Sequence, residues 1–308
     1  MILALLSLAE AIDVAAREGP CPVGEGTVRV YEKRSDNNAG GWDSDLAAYS
    51  SGGQWRAYHL STCSDNLLSL YGEDLLALDA SERERLAKAL PLATVGMDPK
   101  SAELWDRYRV ASRLYTTLGK DDRFIGDLLL EASWAARDAA VGFYPALQGP
   151  VQARQLLDAG WEELKKPLSA ADRRKVLYNL ARVAHRGGWP DERDALLTSY
   201  EATGGLSADE QKALVRFRYI GQTVEPALQD EVIERYVRVL RTQLSHEDKS
   251  KMSYILADLL RRRGRLREAA PLFALILNDG KTADELRGMA MFLVEPISRK
   301  LQEEESPK

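Results

Sequence analysis

The chain has 308 residues, of which 45% are hydrophobic and 29% charged, and its 42 basic and 47 acidic side chains give a net charge of -5. This composition is typical of a soluble globular protein with one large or two modest domains. The near balance of charge argues against a broad nucleic-acid-binding surface. No apolar run approaches the roughly 20 residues needed to cross a bilayer, so we expect no transmembrane segment.

The first segment, residues 1–18, has two interpretations. Its apolar beginning runs into Ala9-Glu10-Ala11, an Ala-x-Ala pattern typical of a signal peptide with cleavage after Ala11. No Lys or Arg precedes Arg17, so the positive region that begins most signal peptides is absent, and a retained helix through Ala16 is the alternative. We favour export, to a periplasm or outside the cell, over a cytoplasmic location.

Residues 19–80 predict a small module that contains both cysteines of the chain. Apolar and polar side chains alternate in residues 27–31 and 54–60, which is typical of half-buried strands, so we expect these two segments to form a short antiparallel pair. The connection between them is rich in Gly, Ser, Asn and Asp, which predicts a loop.

The acidic part of this loop suggests a calcium-binding site. Asp36, Asn38, Asp43 and Asp45 carry the hard oxygen ligands that calcium prefers. Their spacing is not that of an EF-hand, and the same residue types commonly bond their own backbone in turns. We therefore expect no bound metal or cofactor and keep these four residues as weak calcium candidates.

Residues 98–302 predict a domain of amphipathic helices. The segments 105–118 and 124–137 are interpreted as a helical hairpin that turns at Gly119. Further along, three capping signatures recur at intervals of 38 residues, a period typical of stacked helical hairpins. They are Ser169-x-x-Asp172, Ser207-x-x-Glu210 and Ser245-x-x-Asp248, and Thr282-x-x-Glu285 predicts a last helix.

Residues 256–277 carry the clearest repeat, with small residues where two helices would cross and large ones on either side. This segment resembles a tetratricopeptide hairpin at Leu256, Ala257, Leu260, Gly264, Ala269 and Phe273. Residues 180–188 match the first half of that motif, but Arg193 occupies the next small position. The resemblance implies a mainly α protein, a tetratricopeptide-like hairpin array, preceded by the small module with its β pair.

A second resemblance covers most of the chain. Cys21-Pro22-Val23-Gly24, the loop 38–45, Cys63 before a helix and the segment 127–138 are similar to a family of uncharacterised bacterial proteins. That family joins a Cys-Pro-x-Cys zinc-ribbon-like module to tetratricopeptide-type helices. Here Gly24 and Asn66 stand where the second cysteine of each pair would be, so the resemblance implies neither zinc nor a reaction.

The two cysteines leave three possibilities. A structural zinc site needs four Cys or His ligands, and this region offers only Cys21, Cys63 and His59. In an exported protein, a Cys21 to Cys63 disulfide would stabilise the module in place of a metal. Two buried reduced thiols in a cytosolic protein are the third possibility. We favour the disulfide.

A basic cluster at residues 261–267 also has two interpretations. Its arginines can offset the negative end of a helix and pair with Asp258 and Glu268. Alternatively, Arg261, Arg262 and Arg265 would bind an acidic peptide or a carboxylate tail in the groove of a helical array.

No recognised catalytic motif occurs: there is no phosphate loop, hydrolase elbow or metalloprotease signature. We therefore predict a protein-protein interaction scaffold or adaptor that binds a protein or peptide segment, without catalytic residues. The alternative is a metal-dependent module, either a zinc-linked nucleic-acid-binding protein or an enzyme that uses the acidic loop 36–45.

Overall fold

The computed structural model describes residues 12–37, 39–51, 53–142 and 146–305, and these are mainly helical. The strands are β1 (Asp13–Pro20), β2 (Thr27–Ser35), β3 (Gly41–Trp42), β4 (Ala48–Tyr49), β5 (Leu60–Thr62), β6 (Ser69–Tyr71) and β7 (Leu147–Gln148). The helices are α1 (Arg56–His59), α2 (Gly72–Ala77), α3 (Ala80–Ala93), α4 (Leu104–Leu118), α5 (Asp122–Val141), α6 (Gly149–Leu164), α7 (Ala170–Gly187), α8 (Pro190–Ala202), α9 (Ala208–Tyr219), α10 (Glu225–Val239), α11 (His246–Arg262), α12 (Leu266–Asn278) and α13 (Asp284–Glu305). A π-helical segment (Ile220–Val224) lies between α9 and α10. The predicted mainly α array with short antiparallel strands near the N-terminus is confirmed.

The chain divides into two compact units. Unit 1 comprises Met1–Gly40 and Tyr49–Ala136, and unit 2 comprises Gly41–Ala48 and Arg137–Lys308. A short loop from the N-terminal part of the sequence therefore belongs to unit 2. The boundaries predicted from composition, at residues 18, 80 and 98, stay predictions.

Unit 1 begins with an antiparallel ribbon. Strand β1 pairs with β2 from Pro20 opposite Thr27 to Asp13 opposite Ser35, and β5 pairs with β6. The predicted disulfide is confirmed: Cys21 follows β1, Cys63 follows β5, and their Cα atoms lie 5.7 Å apart. It therefore links the ribbon to the β5–β6 pair.

Two predictions for this unit need correction. Thr27 to Tyr31 do form a strand, but the partner is β1 and not residues 54–60. The latter segment forms helix α1 and only reaches a strand at Leu60, because Trp55 and His59 stack four residues apart, at helical spacing. Asp13 to Ala16, which the retained-helix alternative placed in a helix, lie in β1; residues 1–11 lie outside the described part.

The first predicted hairpin is confirmed. Helices α4 and α5 are joined at Gly119, whose φ of +86° is the left-handed conformation that favours glycine. The rings of Tyr115 and Phe124 meet next to this turn at 4.7 Å, and the Tyr108 hydroxyl donates to Glu131 at 2.9 Å further along. The glycine at the turn and the contacts between the two helices thus both support the predicted hairpin.

The repeated capping signatures in unit 2 are also confirmed. The hydroxyl oxygens of Ser169, Ser207 and Ser245 each accept a hydrogen bond from the backbone amide three residues on, at the starts of α7, α9 and α11. Thr282 behaves differently: its hydroxyl bonds to Asp279 and Ser250, and α13 begins at Asp284.

Only two of these three starts lead into hairpins. Helices α7 and α8 turn at Gly188, and α11 and α12 turn at Gly264, both glycines at positive φ. In the middle repeat, Tyr219 and Glu225 keep right-handed helical backbone on either side of the π-helical segment, so α9 and α10 form one continuous helix. The 38-residue period therefore marks helix starts and does not require a turn in every repeat.

No helix among the described residues is long and apolar enough to cross a membrane.

We expect that replacing Cys21 and Cys63 together by serine will destabilise unit 1 by about 4 kcal/mol, because the bridge closes a loop with a sequence separation of 42. Urea denaturation of the oxidised wild type and the double variant measures this difference. Mass spectrometry after alkylation of the unreduced protein supplies the control, since two modified cysteines would contradict the bridge.

Candidate functional site

Residues 43–45 of the loop Gly41–Ala48 lie in the interior of unit 2. Asp43, Ser44 and Asp45 are at most 1% exposed, although all three are polar. Their turn is closed by hydrogen bonds from the Asp43 amide to the Ala47 carbonyl and from the Leu46 amide to the Asp43 carbonyl. The Ser44 carbonyl accepts from the Tyr254 hydroxyl at 2.7 Å, so the loop is fixed to α11.

The Arg137 guanidinium lies between three buried carboxylates. It donates to Asp43 at 2.9 Å, to Asp45 at 2.6 Å and to Glu225 at 2.7 Å. Burial alone would lower the pKa of Arg137, but the charges of Asp45 and Glu225 raise it well above its ordinary value. Arg186 adds a second cation by donating to Asp43 at 2.7 Å. The acidic loop is thus neutralised by arginines from the helices.

Two arginines of α11 bind the loop and the end of α7 at the same time. Arg262 donates to the Ser44 hydroxyl at 2.6 Å and to the Arg186 carbonyl at 2.7 Å. Arg261 donates to the Gly187 and Gly188 carbonyls at 2.8 and 2.7 Å. These carbonyls end α7, where backbone acceptors have no helical partner and the helix dipole is negative.

These contacts decide how the basic cluster is used. Arg261 and Arg262 are only 7% and 6% exposed and both pair with Asp258, while Arg265 is exposed and pairs with Glu268 at 2.7 Å. The pairing of Asp258 and Glu268 with neighbouring arginines is therefore as predicted. Of the three predicted partner-binding arginines, Arg265 lies at the surface, whereas Arg261 and Arg262 are buried inside unit 2.

The weak calcium candidates that the structure describes are divided between the two units. Asp43 and Asp45 face arginines in unit 2, whereas Asp36 belongs to unit 1, where it accepts from the Asn37 amide and pairs with Lys33. Asn38 lies outside the described residues. Within the described ranges, no group of three or more His, Cys, Asp or Glu side chains could hold a metal ion.

A polar cavity of about 310 Å³ opens beside this network, between α7, α8, α11 and the π-helical segment. Five of its lining side chains are at least nine-tenths buried: His185, Arg193, Glu225, Gln229 and Arg262. Arg193 donates to the Gly221 carbonyl at 2.9 Å. A Cβ atom on Gly221 would lie only 2.8 Å from Arg193 Nη1 and 3.3 Å from His185 Cε1, so glycine is needed here for close packing.

The hydrogen bonds of His185 define its tautomer. Arg193 Nη1 lies 3.3 Å from His185 Nδ1, and a guanidinium can only donate, so Nδ1 accepts and the proton of the neutral imidazole is on Nε2. Burial lowers the pKa of His185, which keeps the ring neutral near pH 7. His185 Nε2 lies 2.8 Å from Glu225 Oε2, so the two buried groups are in direct electrostatic contact, and neither atom has another polar partner among the described residues.

An apolar groove of about 470 Å³ lies close by, between the start of α8, the start of α12 and α13. Leu293 and Ile297 are buried, and Trp189, Leu266, Phe292 and Pro296 are partly or fully exposed. The charged residues that line it are four cations (Arg154, Arg261, Arg299 and Lys300) and two carboxylates (Asp191 and Glu192). The groove therefore combines an apolar surface with one exposed cation, Arg299.

The sequence reasoning did not identify His185, Arg193, Glu225 or Gln229 as a group. Only one signal was present: an arginine at position 193, where the resemblance to a tetratricopeptide hairpin requires a small residue. Arg193 is nevertheless 4% exposed, and Gly221, on another helix, provides the missing space.

No family model, curated protein or solved structure matches this chain.

We expect Arg137→Met to lower the free energy of unfolding of unit 2 by about 3 to 5 kcal/mol, because it leaves three buried carboxylates without their shared cation. Arg154→Met is the matched control: its pairs with Asp158 and Glu192 are partly exposed, and their loss should cost about 1 kcal/mol or less. Urea denaturation followed by circular dichroism compares the two variants. Equal losses would contradict the central position of Arg137.

We also expect unit 2 to lose stability as the pH falls below about 6.5. His185 has an ordinary pKa of 6.5 in the unfolded chain and a lowered pKa when folded, so the unfolded state binds the proton first. Glu225 adds a second loss at lower pH. Burial opposes its ionisation, but Arg137 and His185 lower its pKa from 4.5 to about 2, so its contribution fades between those values.

The His185 part of this loss can be measured separately. Urea midpoints between about pH 8 and 5 should fall less steeply for His185→Gln, which retains a side-chain N–H donor but does not titrate. An unchanged slope in the variant would show that other groups cause the loss.

Proposed function

We propose that the protein is an interaction scaffold that binds a segment of a partner protein in the apolar groove of unit 2. The observation that carries this proposal is the groove itself, in which Trp189, Leu266 and Phe292 leave apolar surface accessible. Apolar and aromatic side chains that fill such grooves supply most of the binding energy in peptide recognition.

The charge of the groove specifies the kind of segment. Three of the four cations are paired, Arg154 with Asp158 and Glu192, Arg261 with Asp258 and Lys300 with Asp191. The fourth, Arg299, is exposed next to Pro296 and Ile297. A complementary segment carries an aromatic or aliphatic anchor beside Asp or Glu residues. This refines the sequence-based hypothesis of an acidic peptide, which assigned the contact to Arg261, Arg262 and Arg265.

The helical architecture supports the same function. The α7–α8 and α11–α12 hairpins turn at glycines and bury small residues such as Ala257 and Ala269, as the tetratricopeptide-like interpretation requires. Stacked hairpins of this kind commonly present a groove to extended or helical peptides.

We further propose that the protein works outside the reducing cytosol. The Cys21–Cys63 disulfide supports this location, because such bridges persist mainly in oxidising compartments.

The groove can be tested with a random peptide library displayed on phage. The wild type should enrich peptides with an apolar anchor next to acidic residues, and Phe292→Glu should weaken binding of the selected peptides by about tenfold or more. Arg299→Glu should reduce the preference for acidic residues while retaining the apolar anchor.

Met291→Glu is the matched control, because Met291 is 64% exposed, precedes Phe292 on the same helix and does not line the groove. Circular dichroism checks that each variant is folded. Equal enrichment by the wild type and Phe292→Glu, or none by the wild type, would contradict the proposal.

A further inference from the structure

We propose that the polar cavity binds a small zwitterion of amino-acid size, with its ammonium group at Glu225 and Gln229 and its carboxylate at Arg193. This site is distinct from the apolar groove, and the proposal does not depend on peptide binding there.

The acceptor end of the cavity is built around Glu225. Its Oε1 accepts from Arg137 and from Gln229 Nε2, and its buried Oε2 lies 2.8 Å from His185 Nε2. Because Gln229 donates through Nε2, its Oε1 remains as a second acceptor. The Glu225 carboxylate and the Gln229 carbonyl oxygen make this the acceptor end of the cavity, and an ammonium group can donate up to three hydrogen bonds.

The donor end is Arg193. Its Nε donates to Asp194 at 2.7 Å, and its Nη1 donates to the Gly221 carbonyl and lies against His185 Nδ1. Nη2 is the remaining donor of the guanidinium. Arginine is the side chain best suited to a carboxylate, and this one is held in place on two sides.

The charge and size of the cavity narrow the ligand class. Its lining contains three arginines (Arg193, Arg262 and Arg263) and three carboxylates (Asp191, Asp194 and Glu225), so it carries no net charge. A ligand with one group of each sign suits such a lining better than a simple cation or anion. The volume of about 310 Å³ lies at the lower end of the range for ligand pockets, which indicates a small molecule.

The helix geometry fits a binding site. The π-helical segment Ile220–Val224 places the Gly221 carbonyl against Arg193 and is followed directly by Glu225 at the start of α10. Such segments inside longer helices occur frequently at functional sites. The helix irregularity and the buried carboxylate of Glu225 therefore fall at the same place.

The test uses the full chain, refolded from denaturant so that no small molecule from the host is carried over. Each standard L-amino acid is added separately, and thermal unfolding and calorimetric titration are measured. At least one amino acid should raise the melting temperature saturably. Its analogues that lack either the carboxylate or the amine, such as ethylamine and propionate for L-alanine, should bind about tenfold more weakly or worse.

Variants assign the contacts. Arg193→Met and Gln229→Met should each raise the Kd by about tenfold or more, while Gln211→Met, at an exposed glutamine of α9, should leave it unchanged. If Arg193→Met does not fold, the Kd of Gln229→Met alone tests the proposal. Phe292→Glu should also leave the Kd unchanged, which separates this site from the groove.

Three results would overturn the proposal: no amino acid shifts the melting temperature, an amine or a carboxylate alone binds as tightly as the amino acid, or Gln229→Met binds like the wild type.

Discussion

The ion pairs of the Arg137 guanidinium are the interaction on which the stability of unit 2 depends most. One cation satisfies carboxylates of Asp43, Asp45 and Glu225, which come from a loop near the N-terminus and from the start of α10. A buried charge destabilises a protein unless it is paired and hydrogen-bonded. Loss of the Arg137 cation would leave three buried carboxylates without this partner at the same time. The same loop is bound by Arg186 of α7 and by Arg262 and Tyr254 of α11, so the carboxylates that pair with Arg137 also connect α7, α10 and α11.

The network also explains why a polar cavity can exist beside it. Glu225 gives one oxygen to Arg137 and keeps the other toward His185, so it belongs to both the structural cluster and the cavity. Gly221 allows the Arg193 and His185 side chains to approach the continuous helix, where any side chain would collide with them. Glu225 therefore contributes both to the stability of unit 2 and to the candidate binding site.

How far the sequence predicts this structure depends on the range of the interaction. The serine caps at positions 169, 207 and 245 and the turns at Gly119 and Gly264 are correct, because each involves residues within a few positions of one another. The strand predicted at residues 54–60 is wrong, because alternation over seven residues does not distinguish a strand from a helical turn held by tertiary contacts.

The candidate sites depend on contacts that sequence patterns do not encode. Arg137 and Asp45 are 92 residues apart, and Arg262 and Ser44 are 218 apart. The acidic loop was interpreted as a set of turn residues or weak calcium ligands, since its composition contains no indication that arginines surround it. In the sequence, only Arg193 departs visibly from the tetratricopeptide motif. Its place in the structure depends on Gly221 of the neighbouring helix, which the motif does not indicate.

The path of the chain has a consequence for biosynthesis. Residues 41–48 emerge from the ribosome well before any of their partners, and the last of these, Arg262, follows 218 residues after Ser44. At a synthesis rate of about 5 to 20 residues per second, Arg262 follows the loop by about 10 to 40 seconds, after Arg137 and Arg186 have been added. Unit 2 therefore cannot complete its core during translation of its early helices, and a chain truncated before α11 retains Arg137 and Arg186 but lacks Arg261 and Arg262, which also bind the loop.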